Sequence, residues 1–157
     1  MEDIFRFVFS FFTIWSVSLY ILYVITVNNN NYIPPLWITN FMISLIITIG
    51  LYGSFIMHYN KNKIKDKYKL SSLQVTIIDA IIHIIPLCHV LYNKNKYISI
   101  SDKSDDSFIK SISLLYAMIL IYVSKFNISR IYFDMNKYLL IIPSIIIYWI
   151  SLFNLTN

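Results

Sequence analysis

One cysteine, two glycines and four prolines are all that this chain of 157 residues holds of the types that staple, loosen or break a backbone. The lone cysteine, Cys88, excludes an internal disulfide framework and any all-cysteine metal site. So little glycine and proline excludes a fibrous, collagenous or low-complexity chain. Charge is scarce as well: 13% of residues are Asp, Glu, Lys or Arg, about half the share of an average soluble domain. What replaces them is apolar. Hydrophobic residues make up 57% and aromatic residues 17%. They fall in blocks long enough to cross a bilayer, which excludes an ordinary soluble domain. The net charge of +5 is therefore read first as a topology marker, and no nucleic-acid partner is expected.

Five blocks span Ile4–Val27, Leu36–Met57, Ser72–Tyr92, Phe108–Lys125 and Tyr138–Phe153. A helix needs about 20 apolar residues to cross roughly 30 Å of hydrocarbon. The last two blocks fall short of that and lean on flanking Lys and Tyr, or thin the bilayer. Their apolar residues run continuously. A membrane β-barrel needs alternating strands of about ten residues, so it fits badly. The fold expected is all-α, one polytopic transmembrane bundle of about five helices covering residues 1–157. The first block is read as a retained span. Its leading residues (Glu2, Asp3, Arg6) are not basic, its apolar run is too long for a signal peptide, and no small-x-small cleavage site follows.

The connections are short. Asn28–Pro35 is an uncharged Asn tract closed by Pro34 and Pro35. His58–Ser71 carries Lys61, Lys63, Lys65, Lys67 and Lys69. Asn93–Ser107 is polar, and Phe126–Lys137 holds Arg130, Asp134 and Lys137. With five spans, nine of the basic residues share a side with the N-terminus and four lie opposite. The positive-inside rule then puts the N-terminus in the cytoplasm. The lysine run is read first as a topology anchor, with a site for anionic lipid as the alternative. Two glycosylation sequons, at Asn127 and Asn154, fall on the cytoplasmic side and against the membrane, so neither is expected to be used.

An ionisable residue at membrane depth costs about 2.5–3.5 kcal/mol on insertion scales, so it reads as functional by default. The third block carries such a pair in Asp79-Ala-Ile-Ile-His83-Ile-Ile-Pro86-Leu-Cys88-His89. Asp79 and His83 are four apart, share a helix face and can pair. A carboxylate on one imidazole nitrogen fixes the tautomer and leaves the other nitrogen as a base. The bland reading is that the two satisfy each other and glue the bundle. Pro86 frees the Ile82 carbonyl and predicts a kink beside His83. His89 and His58 read as interfacial. Asp79 and His83 offer two metal ligands with no third in view, so no metal or cofactor is expected.

A nucleophile must share the depth of His83. At 1.5 Å per residue, Thr13 lies about 13 Å into the first block, and Asp79 and His83 roughly 11 and 17 Å into the parallel third. The three meet if those helices are neighbours. Thr39 belongs near the opposite face. Ser16, Ser18, Ser54 and Ser111 are further hydroxyls, and most membrane Ser and Thr bond the carbonyl three or four residues back.

The run Phe11-Phe12-Thr13-Ile14-Trp15-Ser16, continuing to Leu19-Tyr20, resembles the nucleophile helix of the androgen-induced gene product family. These are integral-membrane threonine hydrolases of fatty-acid esters of hydroxy fatty acids. Their essential histidine lies two helices later, with a polar residue four before it and a proline soon after. Asp79, His83 and Pro86 stand in those places, and Tyr132 stands in a later aromatic element. The resemblance implies Thr13 as nucleophile and His83 as its base. It also departs. The family has six helices, and this chain would lack the first, which would put its N-terminus on the opposite side from the family's. The family's polar residue is usually Asn, and its proline lies further from the histidine.

Three functions follow. The first is an intramembrane hydrolase of lipid esters, with Thr13, His83 and Asp79 as its catalytic set, Ser16 a guessed oxyanion donor, and membrane lipids as partners and substrates. The second is a proton- or ion-conducting channel or small transporter using an Asp79/His83 relay. The third is a non-catalytic membrane interaction protein. Gly50-x-x-Gly53 departs from small-xxx-small spacing and does not advertise close helix packing.

Overall fold

The computed structural model of the protein describes residues 11–29, 32–104, 107–125 and 136–156. Six helices carry them: α1 (Phe12–Asn29), α2 (Leu36–Tyr59), α3 (Lys61–Tyr68), α4 (Ser72–Ser99), α5 (Ser107–Lys125) and α6 (Lys137–Thr156). All except α3 are long and apolar enough to cross a membrane. The protein is thus an all-α, integral, multi-pass membrane protein. The expected start of the first span at Ile4 lies outside the described residues, as do Arg6, Asn127, Arg130 and Tyr132.

The second span is the hub, in contact with each of the other four. One apolar cluster joins Tyr20 and Tyr23 of α1, Ile43 and Ile46 of α2, and Val90 and Tyr97 of α4. Another joins Phe41, Leu45 and Ile49 of α2 to Leu115 of α5 and to Tyr148 and Leu152 of α6. The outward faces stay apolar too. Leu22, Ile25, Leu51, Ile85, Ile121 and Ile146 are all exposed, as expected of surfaces solvated by acyl chains, where every backbone group is already bonded within its helix.

Two boundaries differ from expectation. The third span was expected to end at Tyr92 and runs on to Ser99. Val90 and Tyr97 are seven apart, two turns on one face, and both are fully buried. The Tyr97 ring meets Tyr23 edge-on at 5.6 Å, so packing carries the helix through the polar Asn93–Lys96 stretch. The connection His58–Ser71, expected only as a short lysine-bearing link, contains α3. Its Ile64 is buried. A capping box then starts α4: Gln74 N donates to Ser71 Oγ, and Ser71 N donates to Gln74 Oε1.

On the far side of the bundle the connections tie together. Leu36 N donates to the Asp102 carbonyl at 2.8 Å, and Asp102 N donates to the Pro34 carbonyl at 3.0 Å. Ser104 donates both its N–H and its hydroxyl to the Asp102 carboxylate, which holds that carboxyl below its ordinary range.

Beneath them runs a buried hydroxyl chain. Ser101 Oγ donates to the Tyr97 carbonyl at 2.6 Å, so it accepts from Thr39 Oγ1, also at 2.6 Å. Thr39 in turn accepts from the Tyr23 hydroxyl at 3.0 Å. Thr39→Val removes the middle link and strands the buried Tyr23 hydroxyl, while Ser101 keeps its bond to the Tyr97 carbonyl. We expect it to lower the thermal unfolding midpoint in detergent, by a cost of about 1–2 kcal/mol. An unchanged midpoint would show the chain to be dispensable.

Candidate functional site

Among the described residues two single turns depart from α geometry, Ile49–Gly53 in α2 and Ala80–Ile84 in α4. Both are π turns, and they pack on each other. π turns are rare and concentrate at functional sites. The second ends at Ile84, two residues before Pro86. Proline has no N–H to return to the Ile82 carbonyl, so the ladder lacks a rung there. The kink expected beside His83 takes the form of this wider turn.

The two π turns meet at the chain's only glycines. A Cβ on Gly50 would stand 2.7 Å from Leu87 Cβ. A Cβ on Gly53 would stand 2.4 Å from His83 Nε2 and 2.5 Å from Cδ2. The expectation that Gly50-x-x-Gly53 marks no close helix approach is therefore wrong. Positions three apart share a helix face, and here both rest against α4. The bare face of Gly53 is where the His83 imidazole lies.

His83 is buried. Its Nδ1 is 2.7 Å from Asp79 Oδ1. The carboxylate accepts, so Nδ1 carries the proton and Nε2 of the neutral ring presents a lone pair. The other carboxylate oxygen, Asp79 Oδ2, accepts from Ser54 Oγ at 2.8 Å. Asp79 is thus pinned from two helices, its own α4 and the neighbouring α2. Asp79 and His83 pair across one turn, as the four-residue spacing predicts.

Thr13, in the first described turn of α1, brings its Oγ1 within 3.4 Å of His83 Nε2. That is longer than the roughly 2.6–3.2 Å of an engaged nucleophile and base, a looseness common in sites without substrate. The chain Thr13–His83–Asp79–Ser54 therefore crosses three helices. Thr13, His83 and Asp79 come together as the depth arithmetic expects.

The remaining candidates lie elsewhere. Ser16 is buried and donates back to the Phe12 carbonyl at 2.8 Å, so its hydroxyl proton is already committed. Ser111 donates to the Trp37 carbonyl, Ser18 is exposed, and Thr39 sits in the far hydroxyl chain. His89 is exposed, and its Nδ1 is 2.8 Å from the Tyr20 hydroxyl. His58 is exposed at the end of α2. Among the described residues, no three His, Cys, Asp or Glu side chains gather as a metal site would need.

Thr13 and His83 stand in the wall of a cavity of about 440 Å³. All five spans contribute to it, through residues such as Ile49, Ile82, Leu115 and Leu140. Ile64, Tyr68 and Leu70, from α3 and the turn after it, complete the wall. The size suits a small-molecule pocket. The lining is overwhelmingly apolar, so polar chemistry concentrates at few points. Ser54 and Gly53 are the parts that sequence reading missed as a unit. Ser54 appeared there only as one hydroxyl among several. No protein-family profile, curated protein or solved structure matches the chain.

Proposed function

We propose that the protein is an intramembrane hydrolase of lipid fatty-acid esters, the chemistry of the androgen-induced gene product family that the Phe11–Ser16 and Asp79–Pro86 segments resemble. The observation that carries this reading is the alignment Thr13–His83–Asp79, with Thr13 and His83 on the wall of an apolar cavity. An acyl chain fits that lining, and its ester carbonyl finds a hydroxyl with a base behind it.

The Thr13 oxygen attacks the carbonyl carbon while its proton passes to His83 Nε2. The carbon–oxygen bond to the leaving alcohol breaks, and His83 returns the proton to that alcohol. Water then adds to the acyl-threonine with His83 again as base, releasing the fatty acid and restoring Thr13. Asp79 holds Nδ1–H and stabilises the imidazolium that forms at each step. Ser54 keeps the carboxylate aimed. The positive-inside count puts the N-terminus and α3 in the cytoplasm, so the cavity's α3 end faces that side.

Turnover of fatty-acyl nitrophenyl esters by the purified protein tests this reading. Asp79→Asn puts an amide beside Nδ1 and favours the wrong tautomer. The expected loss in turnover is about a thousandfold or more. Ser54→Ala frees one carboxylate oxygen and is expected to cost about tenfold, near the worth of one charge-assisted hydrogen bond. Equal activity of wild type and Asp79→Asn would remove the hydrolase reading.

The unbroken run Ser54–Asp79–His83–Thr13 also supports a second reading, a proton relay through the bundle. It requires pH-dependent conductance of protein-containing liposomes. A flat response across about pH 5 to 8, the range in which histidine titrates, would remove it.

A further inference from the structure

The lysine-rich helix α3 lies over the same cavity that holds Thr13 and His83. Its Ile64 and Tyr68, four apart, line that cavity, and so does Leu70 just after it. One step round the helix runs a second stripe, Lys61, Lys65 and Lys69, also four apart. Lys61 Nζ donates to Thr76 Oγ1 of α4 at 3.2 Å and ties the helix down. Lys65 is half-buried, next to the buried Ile64. Lys69 is exposed, between the two cavity residues Tyr68 and Leu70. It caps α3 in the left-handed region, φ 52°, where Gly or Asn is usual. An apolar face inward, with half-buried Lys61 and Lys65 along its flank and Lys63 and Lys67 exposed beyond them, is the pattern of a helix lying in the membrane interface.

We propose that α3 is a headgroup-binding lid. An anionic phospholipid would seat its phosphate on Lys65 and Lys69 and extend one acyl chain into the cavity beneath. The assignment rests on the hydrolase reading for its substrate sense, but the binding itself needs no chemistry. Charge complementarity selects this occupant. A lysine at headgroup level favours an anionic over a zwitterionic lipid by about fivefold. A purely apolar ester would make no use of the stripe, and inorganic phosphate would make no use of the cavity.

The test is equilibrium binding of a fluorescent phosphatidylglycerol and its phosphatidylcholine counterpart to the purified full chain in neutral maltoside micelles. The expected result is a preference of at least about tenfold for phosphatidylglycerol from the two lysines. Lys65→Gln/Lys69→Gln should bring that preference close to one while leaving phosphatidylcholine affinity unchanged. Salt at about 0.5 M should collapse the preference in the wild type, a control that needs no variant. Equal binding of the two lipids by the wild type, or a preference that survives the double substitution, overturns the proposal. Displacement by inorganic phosphate at about its own affinity for the free protein overturns the lipid assignment in favour of a free-phosphate site. His83→Ala separates the two readings. Preference retained there, with no ester turnover in the wild type, removes the hydrolase and leaves the headgroup site standing.

Discussion

A fluorophosphonate probe is expected to label the purified protein covalently, and labelling should vanish in both Thr13→Ala and His83→Ala. The probe reacts only with an activated hydroxyl. A threonine alone in hydrocarbon is a poor nucleophile, so labelling reports the proton path from Oγ1 to Nε2 rather than mere access. Each single substitution should cost about a thousandfold or more. The double variant should cost little beyond either single one, because residues that act as a unit are grossly non-additive. Thr13→Ser keeps a hydroxyl at the same place and should retain labelling. Thr13→Val keeps the β-branched shape and should lose it, which separates chemistry from packing. The Thr13 variants should elute as the wild type does, since Thr13 is only partly buried and its contact with His83 is long. Labelling that persists in His83→Ala would place the reactive hydroxyl elsewhere and return the pair to the relay reading.

The depth argument that places Thr13 also shows what a sequence can carry. Spans register as apolar blocks because the bilayer imposes length and composition directly, so Leu36 and Ser72 are read as helix starts to the residue. Asp79 and His83 are legible because a four-residue spacing needs only local geometry. Ser54 was within reach of the same arithmetic. It lies five residues before the end of the antiparallel α2 and Asp79 seven residues into α4, which puts them at about one level. Its partner, though, depends on which helix faces which. The end of α4 was missed for a tertiary reason. Asn93–Lys96 reads as a connection until Tyr97 has a ring to pack on. Helix α3 was missed for the opposite reason, since its lysines masked the Ile64/Tyr68 spacing. Pro86 signalled a broken ladder, but the choice of a π turn over a sharp kink belongs to the packing of α4 on α2.

Gly53→Ala is expected to disable the site from a residue that has no side chain to offer the reaction. The added methyl group would stand 2.4 Å from His83 Nε2 and 2.5 Å from Cδ2, well inside van der Waals contact, so the imidazole must give way. The ring cannot shift freely, because Nδ1 is held at 2.7 Å by Asp79 and Asp79 is held by Ser54. Nε2, the atom that faces Thr13, takes most of the displacement. A shift of about 1 Å at a reacting group costs on the order of a hundredfold in rate, and the Thr13 contact is already long. Overpacking should also destabilise the protein by about 1–3 kcal/mol, so activity must be counted per folded molecule. Gly50→Ala supplies the control. Its methyl group would press on Leu87 Cβ at 2.7 Å, one turn away from the histidine on the same interface. It should lower the unfolding midpoint by a similar amount while folded protein keeps its labelling. Equal labelling per folded molecule in both glycine variants would mean that the α2–α4 contact holds the helices together without aiming His83, and Gly53 would then be a packing residue alone.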